Sequence, residues 1–199
     1  MDRLAERRAT IMAATEQLLA VHGFDAMRLR DVAQQAGVSI GLIQHYFGTR
    51  DDLLFETMRT AGRRRAEQWV GLATSATSAG DKLAALLDGA ISDPHRCVIW
   101  LETCAASSRH PELRRDVQLT QDTWRETIGA IVDEGLAAGE FVPVVPVEDL
   151  VVLLVSLIDG LMLATVTQSA DEGGQTERTR LLRQTAGRLL GLSAEREWL

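Results

Sequence analysis

Cysteine is scarce in this 199-residue chain: the two that occur, Cys97 and Cys104, lie seven positions apart on one predicted helix. Cysteines placed in this way do not make the disulfide framework of a small secreted protein. The charged start, MDRLAERRAT, contains no apolar signal-peptide region, so we expect a cytoplasmic location. The most apolar run, residues 144–162, carries three acidic residues, which favours a buried helix over a membrane span and predicts no membrane association.

Sequence signatures of enzymes and metal sites are also missing. The sequence has no nucleophile elbow and no glycine-rich phosphate loop. His95, Cys97 and Cys104 do not have the spacing of a zinc site, and the other histidines are scattered. We therefore expect no catalytic residue, no cofactor and no metal, and we interpret the chain as not being an enzyme.

The net charge of −7 conceals an asymmetry along the chain. Residues 1–65 contain ten arginines and eight acidic residues, whereas residues 66–199 contain eleven basic and twenty acidic residues. An overall acidic balance argues against nucleic-acid binding, but a basic N-terminal part on an acidic remainder is compatible with it.

Helical periodicity dominates, and no stretch alternates with period two, so the sequence predicts an all-α fold of about nine helices. Glycine and proline signals place their approximate boundaries at 2–21, 29–35, 39–46, 49–70, 81–91, 94–108, 111–138, 147–168 and 176–191. We predict a three-helix domain with a helix-turn-helix over residues 1–48. A larger helical domain over residues 49–199 is predicted to follow, with helix 49–70 as the connection.

Residues 30–47 are predicted to form two helices around a tight turn. Gly37 can end the first helix because glycine tolerates a left-handed backbone, and Ser39 can cap the second. This is the helix-turn-helix arrangement, in which the second helix lies in the major groove of DNA. The alternative is that the two short helices are scaffolding in a protein core.

The second of these helices has one apolar side, formed by Leu42, Ile43 and Phe47. Its other side carries residues suited to a DNA groove, because glutamine can bind adenine through two hydrogen bonds and glycine permits close approach. Thr49 and Asp52 have the spacing of a capping box. With Arg50, the helix N-terminus behind them forms a possible phosphate site. The residues on the outer side are Ile40, Gly41, Gln44, His45 and Tyr46.

Residues 8–54 resemble the N-terminal domain of TetR-family transcriptional regulators. The resemblance is carried by Gly23-Phe24, RDVAQQAGVS, Gly41, Tyr46-Phe47, Arg50 and Leu53-Leu54. The segment GVSIGLIQHYFGTRDDLL is especially similar to the branch that includes repressors of choline and betaine metabolism. The resemblance implies a three-helix DNA-binding domain over residues 1–48 that recognises DNA through residues near 39–46. It also implies that residues 49–199 form an effector-binding and dimerisation domain.

Three positions depart from the usual pattern of this family. Arg50 stands where the family usually has a phosphate-binding lysine, and Gln44 replaces the common tyrosine. Met27-Arg28 replaces a pair of hydroxyl residues, so the second helix lacks its usual cap and Arg28 becomes a candidate phosphate ligand. The full set of predicted DNA-binding residues is Arg28, Ser39, Ile40, Gly41, Gln44, His45, Tyr46 and Arg50.

Helix 147–168 is apolar on nearly every side and must therefore be covered on every side. A second copy of the chain would supply that cover, and Gly160 would allow close approach of its helix. Helix 176–191 repeats apolar residues at steps of three and four. We predict a homodimer through these two helices, packed as a four-helix bundle, as the TetR resemblance also implies. The alternative is a core helix enclosed within one chain.

Tryptophans and cysteines mark a candidate ligand site in the larger domain. Stripes at helical spacing are also typical of plain core, but in TetR-like proteins this region encloses the effector cavity. The predicted ligand-binding residues are Trp69, Cys97, Trp100, Leu101, Cys104, Trp124 and Ile128. Nearby carboxylates at Glu102, Glu126 and Asp159 would suit a cationic or quaternary amine effector, because tryptophan faces attract cations.

The sequence therefore predicts a homodimeric, ligand-responsive transcriptional repressor. Two recognition helices about 34 Å apart would enter successive major grooves of a palindromic operator. Effector binding would change the tilt of helix 49–70 and release the DNA. The alternative is an all-helical small-molecule-binding or adaptor protein that does not read DNA.

Overall fold

The computed structural model describes residues 3–74, 76–168 and 172–192, and this part of the chain contains nine helices and no strand. The all-α prediction is confirmed, with helix ends displaced by a few residues. The helices are α1 (Arg3–Ala26), α2 (Leu29–Ala36), α3 (Ile40–Phe47), α4 (Arg50–Ala73), α5 (Ala79–Ile91), α6 (Pro94–Arg109), α7 (Pro111–Ala137), α8 (Val147–Thr167) and α9 (Glu172–Leu189).

Glycine and proline set the helix boundaries. Gly23 has φ 72° and ψ 174° and interrupts α1 where the sequence predicts a stop. The following residue, Phe24, is only 2% exposed and folds back into the core. Pro94 and Pro111 occupy the first positions of α6 and α7, where the missing N–H costs nothing.

The helices form two compact units, Met1–Arg64 with Val98–Gln118 and Arg65–Cys97 with Leu119–Leu199. We call them the N-terminal unit and the larger unit. This division by packing is not the functional boundary after residue 48, which stays a prediction. Helices α4, α6 and α7 each contribute residues to both units.

A single apolar cluster forms the core of the N-terminal unit. Ile11 and Leu19 of α1, Ile43 of α3 and Leu54 of α4 are fully buried in it. Ala106 of α6 joins the same cluster. Because each fully buried aliphatic side chain contributes about 1.5–3 kcal/mol, this core holds the two short helices firmly in place.

Helices α5, α8 and α9 pack on one another in the larger unit. The chain after α7 is attached to this group by backbone hydrogen bonds, because Val142 and Val144 donate to the carbonyls of Leu190 and Leu189 at 2.9 Å. These bonds satisfy carbonyls at the end of α9 that have no partner within the helix. Phe141, just before this segment, is buried.

Helix α8 is the one helix in the described residues that is long and apolar enough to cross a membrane by length and composition, with a mean hydropathy of 2.3. Core helices of soluble proteins can be equally long and apolar, and 39% of the most apolar stretch of α8 is buried. The chain does not cover the helix on every side. Val152, Leu153 and Leu163 are 55%, 47% and 51% exposed.

Candidate DNA interface and ligand site

The turn between α2 and α3 has the geometry that the sequence predicts. Gly37 adopts the left-handed conformation, with φ 66°, and its N–H donates to the carbonyls at the end of α2. The Val38 N–H donates to the Ala33 carbonyl at 3.0 Å, which closes the turn. Ser39 caps α3, because its hydroxyl accepts a hydrogen bond from the Leu42 N–H at 3.1 Å. The two short helices are therefore held in a fixed relation.

Helix α3 divides into an inner and an outer face. Ile43 is fully buried, Phe47 is 8% exposed and Leu42 is half-buried, so the predicted apolar anchors are confirmed. The outer face of α3 consists of Ser39, Ile40, Gly41, Gln44 and His45, all of which are exposed. A β-carbon at Gly41 would have no atom within 4 Å, so this face is open for close approach of a ligand.

Tyr46 lies between the two faces. Its ring is half-buried, packs against the core cluster and makes an edge contact with Phe47 at 6.5 Å between ring centres. The Arg8 guanidinium donates to the Tyr46 carbonyl at 2.8 Å and lies over the Phe47 ring at 4.6 Å. Arg8 also forms a salt bridge with Glu56. It thereby connects α1, α3 and α4, a role that the sequence pattern did not reveal.

Arg50 points into the protein, whereas the sequence predicts that it contacts phosphate. Its Nε donates to the Met27 carbonyl at 2.7 Å, a terminal nitrogen donates to the Phe24 carbonyl, and the other pairs with Asp51 at 2.5 Å. The guanidinium also lies 5.1 Å from the centre of the Phe24 ring. Arg50 thus holds the segment between α1 and α2, and the phosphate contact stays an untested prediction.

The capping box at the start of α4 is confirmed. The Thr49 N–H donates to the Asp52 carboxylate and the Asp52 N–H donates to the Thr49 hydroxyl, both at 3.1 Å. A further bond of 2.6 Å joins the hydroxyl to the carboxylate, and these bonds lower the pKa of Asp52. With Asp51, this carboxylate brings negative charge to the first turn of α4. These two carboxylates place negative charge beside the predicted anion site, and phosphate binding at this helix end stays a prediction.

Replacing Arg50 with alanine is expected to lower the free energy of unfolding by about 2 kcal/mol, because two backbone carbonyls lose a charged donor. Chemical denaturation followed by circular dichroism measures this loss. The matched control is Arg30→Ala, since Arg30 is exposed and pairs only with the adjacent Asp31. Equal stability of the two variants would show that Arg50 does not hold the 24–27 segment.

Arg28 is an exposed basic residue at the start of α2. It is the N-cap residue of α2, and its side chain makes no capping hydrogen bond. The predicted absence of a hydroxyl cap on α2 is therefore confirmed. Arg28 is exposed next to the segment that Arg50 holds, and its contact with a phosphate stays a prediction.

In the larger unit, Trp69 and Trp124 are stacked with ring centres 4.9 Å apart and an angle of 15° between planes. Both are buried, and Ile128 lies one helical turn after Trp124 with no exposed surface. Cys97 is also fully buried, and burial raises the pKa of its thiol, so the sulfur is uncharged. Four of the seven predicted ligand-binding residues thus belong to the larger unit.

The remaining three, Trp100, Leu101 and Cys104, belong to the N-terminal unit because residues 98–118 pack there. Trp100 is 5% exposed, and the other two are half-buried. Helical spacing along α6 placed them beside Cys97 in the prediction. It could not reveal that the division between units falls directly after Cys97.

The sequence pattern did not reveal Arg65, whose positively charged side chain lies beside the tryptophan pair. The side chain is 7% exposed, and its guanidinium lies 5.4 Å from the centre of the Trp124 ring. Arg65 precedes Trp69 by four residues, so the two share one face of α4. That spacing, inside the run GRRRAEQW, is the signal that could have identified it.

A short, capped helix with an exposed outer face and an inner face buried in a core is the second helix of a helix-turn-helix, the arrangement that one class of DNA-binding regulators uses. Residues 11–57 match the family described as bacterial regulatory proteins, tetR family. Residues 81–191, more than half of the chain, match the family described as BetI-type transcriptional repressor, C-terminal. The chain therefore belongs to the TetR family, in the group with a BetI-type C-terminal domain.

Individual relatives agree with this assignment. The chain is 34% identical to the transcriptional regulator BetI of Stenotrophomonas maltophilia over 55% of this chain and 58% of that protein. It is 29% identical to BetI of Cronobacter sakazakii over 87% of this chain and 86% of the relative. The alignments with the first curated relatives span a little more than half of their length.

Solved structures share the fold. A TetR-family regulator from Rhodococcus sp. has a TM-score of 0.79 and 25% identity, covering 93% of this chain and 99% of that one. A transcriptional regulator from Saccharomonospora viridis, solved in complex with choline, has a TM-score of 0.83 and 23% identity, covering 90% and 95%. At such identities the similarity establishes the fold.

Proposed function

We propose that this protein is a ligand-responsive transcriptional repressor that binds a palindromic DNA operator as a homodimer. The observation that carries the proposal is the outer face of α3, which is exposed while the other side of the same short helix is fixed in the core. A helix presented in this way fits the major groove, which is about 12 Å wide. As such a repressor, the protein would act in the cytoplasm.

Each predicted DNA-binding residue receives a role in this proposal. Gln44 would contact a base edge, and Gly41 would let the helix approach closely. Ile40 would pack on a thymine methyl group. The sugar-phosphate backbone of the DNA would be contacted by Ser39, His45 and Tyr46, with Arg28 as the main phosphate ligand. Arg50 would act chiefly by holding the adjoining segment, given its three internal partners.

Replacing Gln44 with alanine is expected to relax base preference at one position of each half-site by about 1–3 kcal/mol, because one bidentate contact is lost. Selection of bound sequences from a random DNA pool measures this change. Gln34→Ala is the matched control, since Gln34 is an exposed glutamine on α2. An unchanged selected sequence for the Gln44 variant would contradict the assigned role.

The homodimer is proposed on the exposed apolar surface of the larger unit. We call the α8 stripe the exposed set Val152, Leu153, Ser156, Gly160 and Leu163, which follows helical spacing along one side of that helix. A β-carbon at Gly160 would meet no atom within 4 Å. Leu181 of α9 adds exposed apolar area, at 46%. Covering these residues with the same surface of a second chain gives the two-fold interface expected from helices 147–168 and 176–191.

The effector class is the part of the proposal that the geometry alters most. The sequence-based expectation of a cation depends on carboxylates near tryptophan, and choline is the ligand of the Saccharomonospora viridis protein. Here the Glu102 carboxylate accepts a hydrogen bond from the Phe24 N–H at 2.9 Å within the N-terminal unit. Glu126 is exposed. Asp159, on α8, is half-buried. The charged group that lies over the Trp124 ring is the cation Arg65, so choline is tested beside anionic ligands.

Control by a ligand is proposed to act through α4. This helix is continuous from Arg50 to Ala73 and contributes residues to both units. A ligand bound to its C-terminal half would shift the protein between states of different operator affinity, provided that it binds one state more tightly.

A gel-shift titration with DNA from upstream of the gene that encodes the chain tests the proposal. We expect the ligand-free protein to retard a specific fragment with an affinity that falls as salt concentration rises. The alternative, a small-molecule-binding or adaptor protein that does not read DNA, predicts no difference between that fragment and unrelated DNA. Arg28→Gln is expected to weaken binding to all DNA sequences alike and to make the affinity less dependent on salt concentration.

A further inference from the structure

A cavity of about 400 Å³ opens in the larger unit, where the C-terminal half of α4 faces the end of α5 and the start of α6. Its walls combine an apolar part with two guanidinium groups. The residues that define it are Arg65, Trp69, Leu72, Gly89, Ser92 and Arg96. We call it the arginine cavity.

Arg65 is buried without a full set of partners. One terminal nitrogen donates to the Ala90 carbonyl at 2.6 Å and lies 3.6 Å from the Met162 sulfur. Among the described residues its Nε has no hydrogen-bond partner, and Arg65 is only 7% exposed. Burial of a charged guanidinium that is incompletely hydrogen-bonded is unfavourable unless something compensates it.

The charges around Arg65 do not neutralise it. Asp93 attracts it, but the Asp93 carboxylate pairs with Arg96 at 2.9 Å, and Arg96 repels it. The Cys97 sulfur is a hydrogen-bond partner of the Arg65 side chain, and this interaction opposes the lowering of the Arg65 pKa. Burial raises the pKa of the Cys97 thiol and keeps it neutral, so it supplies no full counter-charge. Burial also lowers the pKa of Arg65, but a guanidinium remains protonated at neutral pH. Two positive groups therefore face one carboxylate, and none of the residues lining the cavity is acidic.

We propose that the arginine cavity binds a carboxylate-bearing small molecule and that this anion is the effector. The carboxylate would bind Arg65 and Arg96, while the apolar part of the ligand packs on Trp69 and Leu72. Arginine suits this role because its planar fork matches a carboxylate and forms charge-assisted hydrogen bonds. The inference rests on the proposed function and specifies the chemistry of its ligand.

Calorimetric titration of the full chain with matched pairs of probes tests the proposal. Benzoate and indole-3-acetate are compared with benzamide and indole-3-acetamide, which have the same shape and no charge, and choline is a separate arm. We expect at least one acid to bind and its amide to bind about tenfold or more weakly. The proposal would be overturned if neither acid bound, or if an acid and its amide bound equally well. It would also be overturned if choline bound and the acids displaced it no better than the amides did.

Variants assign the binding to this cavity. Arg65→Gln is expected to weaken acid binding about tenfold or more, and Arg96→Gln to weaken it by a smaller factor because Arg96 is exposed. Arg63→Gln makes the same charge change at an exposed position of α4 outside the cavity and is expected to bind like the unaltered chain. Acid binding unchanged in Arg96→Gln and in any folded Arg65→Gln protein would place the ligand elsewhere and overturn the assignment.

The ligand test and the DNA test fail separately. Loss of specific gel retardation by the ligand-free protein would overturn the proposed repressor function without affecting calorimetry. An acid that binds through Arg65 and Arg96 is further expected to release the retarded DNA. An acid that binds there and leaves the operator complex unchanged would overturn its role as effector.

Discussion

Replacing Gly135 with alanine is expected to lower the free energy of unfolding by about 3 kcal/mol, because the added methyl group collides with a buried ring. A β-carbon at this position would lie within 2.7 Å of three ring atoms of Phe141, which is 2% exposed. The ring cannot move freely, since the Phe141 N–H donates to the Gly135 carbonyl at 3.2 Å and the next residue is bonded to Leu190. Urea denaturation of the purified protein measures the change.

Gly129→Ala is the matched control in the same helix. A β-carbon at Gly129 meets a single atom, Cγ2 of Val151, at an ordinary contact distance of 3.9 Å. Because alanine favours the helix interior over glycine by about 0.5–1 kcal/mol, this variant is expected to be as stable as the unaltered chain or slightly more stable. If Gly135→Ala behaved in the same way as Gly129→Ala, Phe141 would not be packed on α7 as described.

Replacing Leu163 with glutamate is expected to convert the protein from dimer to monomer at micromolar concentration. The side chain is 51% exposed in the single chain and lies in the α8 stripe. In the proposed two-fold interface each copy would bury one unpaired carboxylate, which costs several kcal/mol per ion. A monomer would bind one half-site of the operator, whereas a dimer binds two half-sites at once. Operator affinity should therefore fall on the order of a hundredfold. Sedimentation velocity and gel retardation measure the two effects.

Leu119→Glu provides the comparison for this variant, since Leu119 is a 54% exposed leucine on α7 and not on either predicted interface helix. It is expected to remain dimeric and to bind the operator normally. A dimeric Leu163→Glu protein, or a monomeric Leu119→Glu protein, would show that α8 does not form the interface.

Local sequence signals predicted the helix-turn-helix region well. Gly23 and Gly37 were identified as helix stops because positive φ is nearly a glycine property, and both adopt it. Ser39 and the Thr49–Asp52 pair were identified as caps because side-chain capping depends on residues only three positions apart. Helical spacing alone placed Ile43 and Phe47 inward.

Long-range partners were beyond such signals. Arg50 was expected to face DNA, yet it is held by Phe24 and Met27, which lie more than twenty positions earlier in the chain. Arg65 contacts Ala90 and Trp124, which also lie more than twenty positions away in the chain. Where an arginine points depends on which carbonyls and rings the fold brings near it, and periodicity along one helix contains no information about that.

By itself the sequence determined the helical class, the helix-turn-helix and the membership of a regulator family, because these depend on periodicity, caps and motifs within short segments. Only the tertiary structure decided that Arg50 holds the segment between α1 and α2 through backbone carbonyls. It also decided that Trp100 and Trp69 belong to different units and that a buried arginine lies beside the tryptophan pair. The reason is that burial and charge pairing are properties of chain segments distant in sequence, which meet only when the chain is folded.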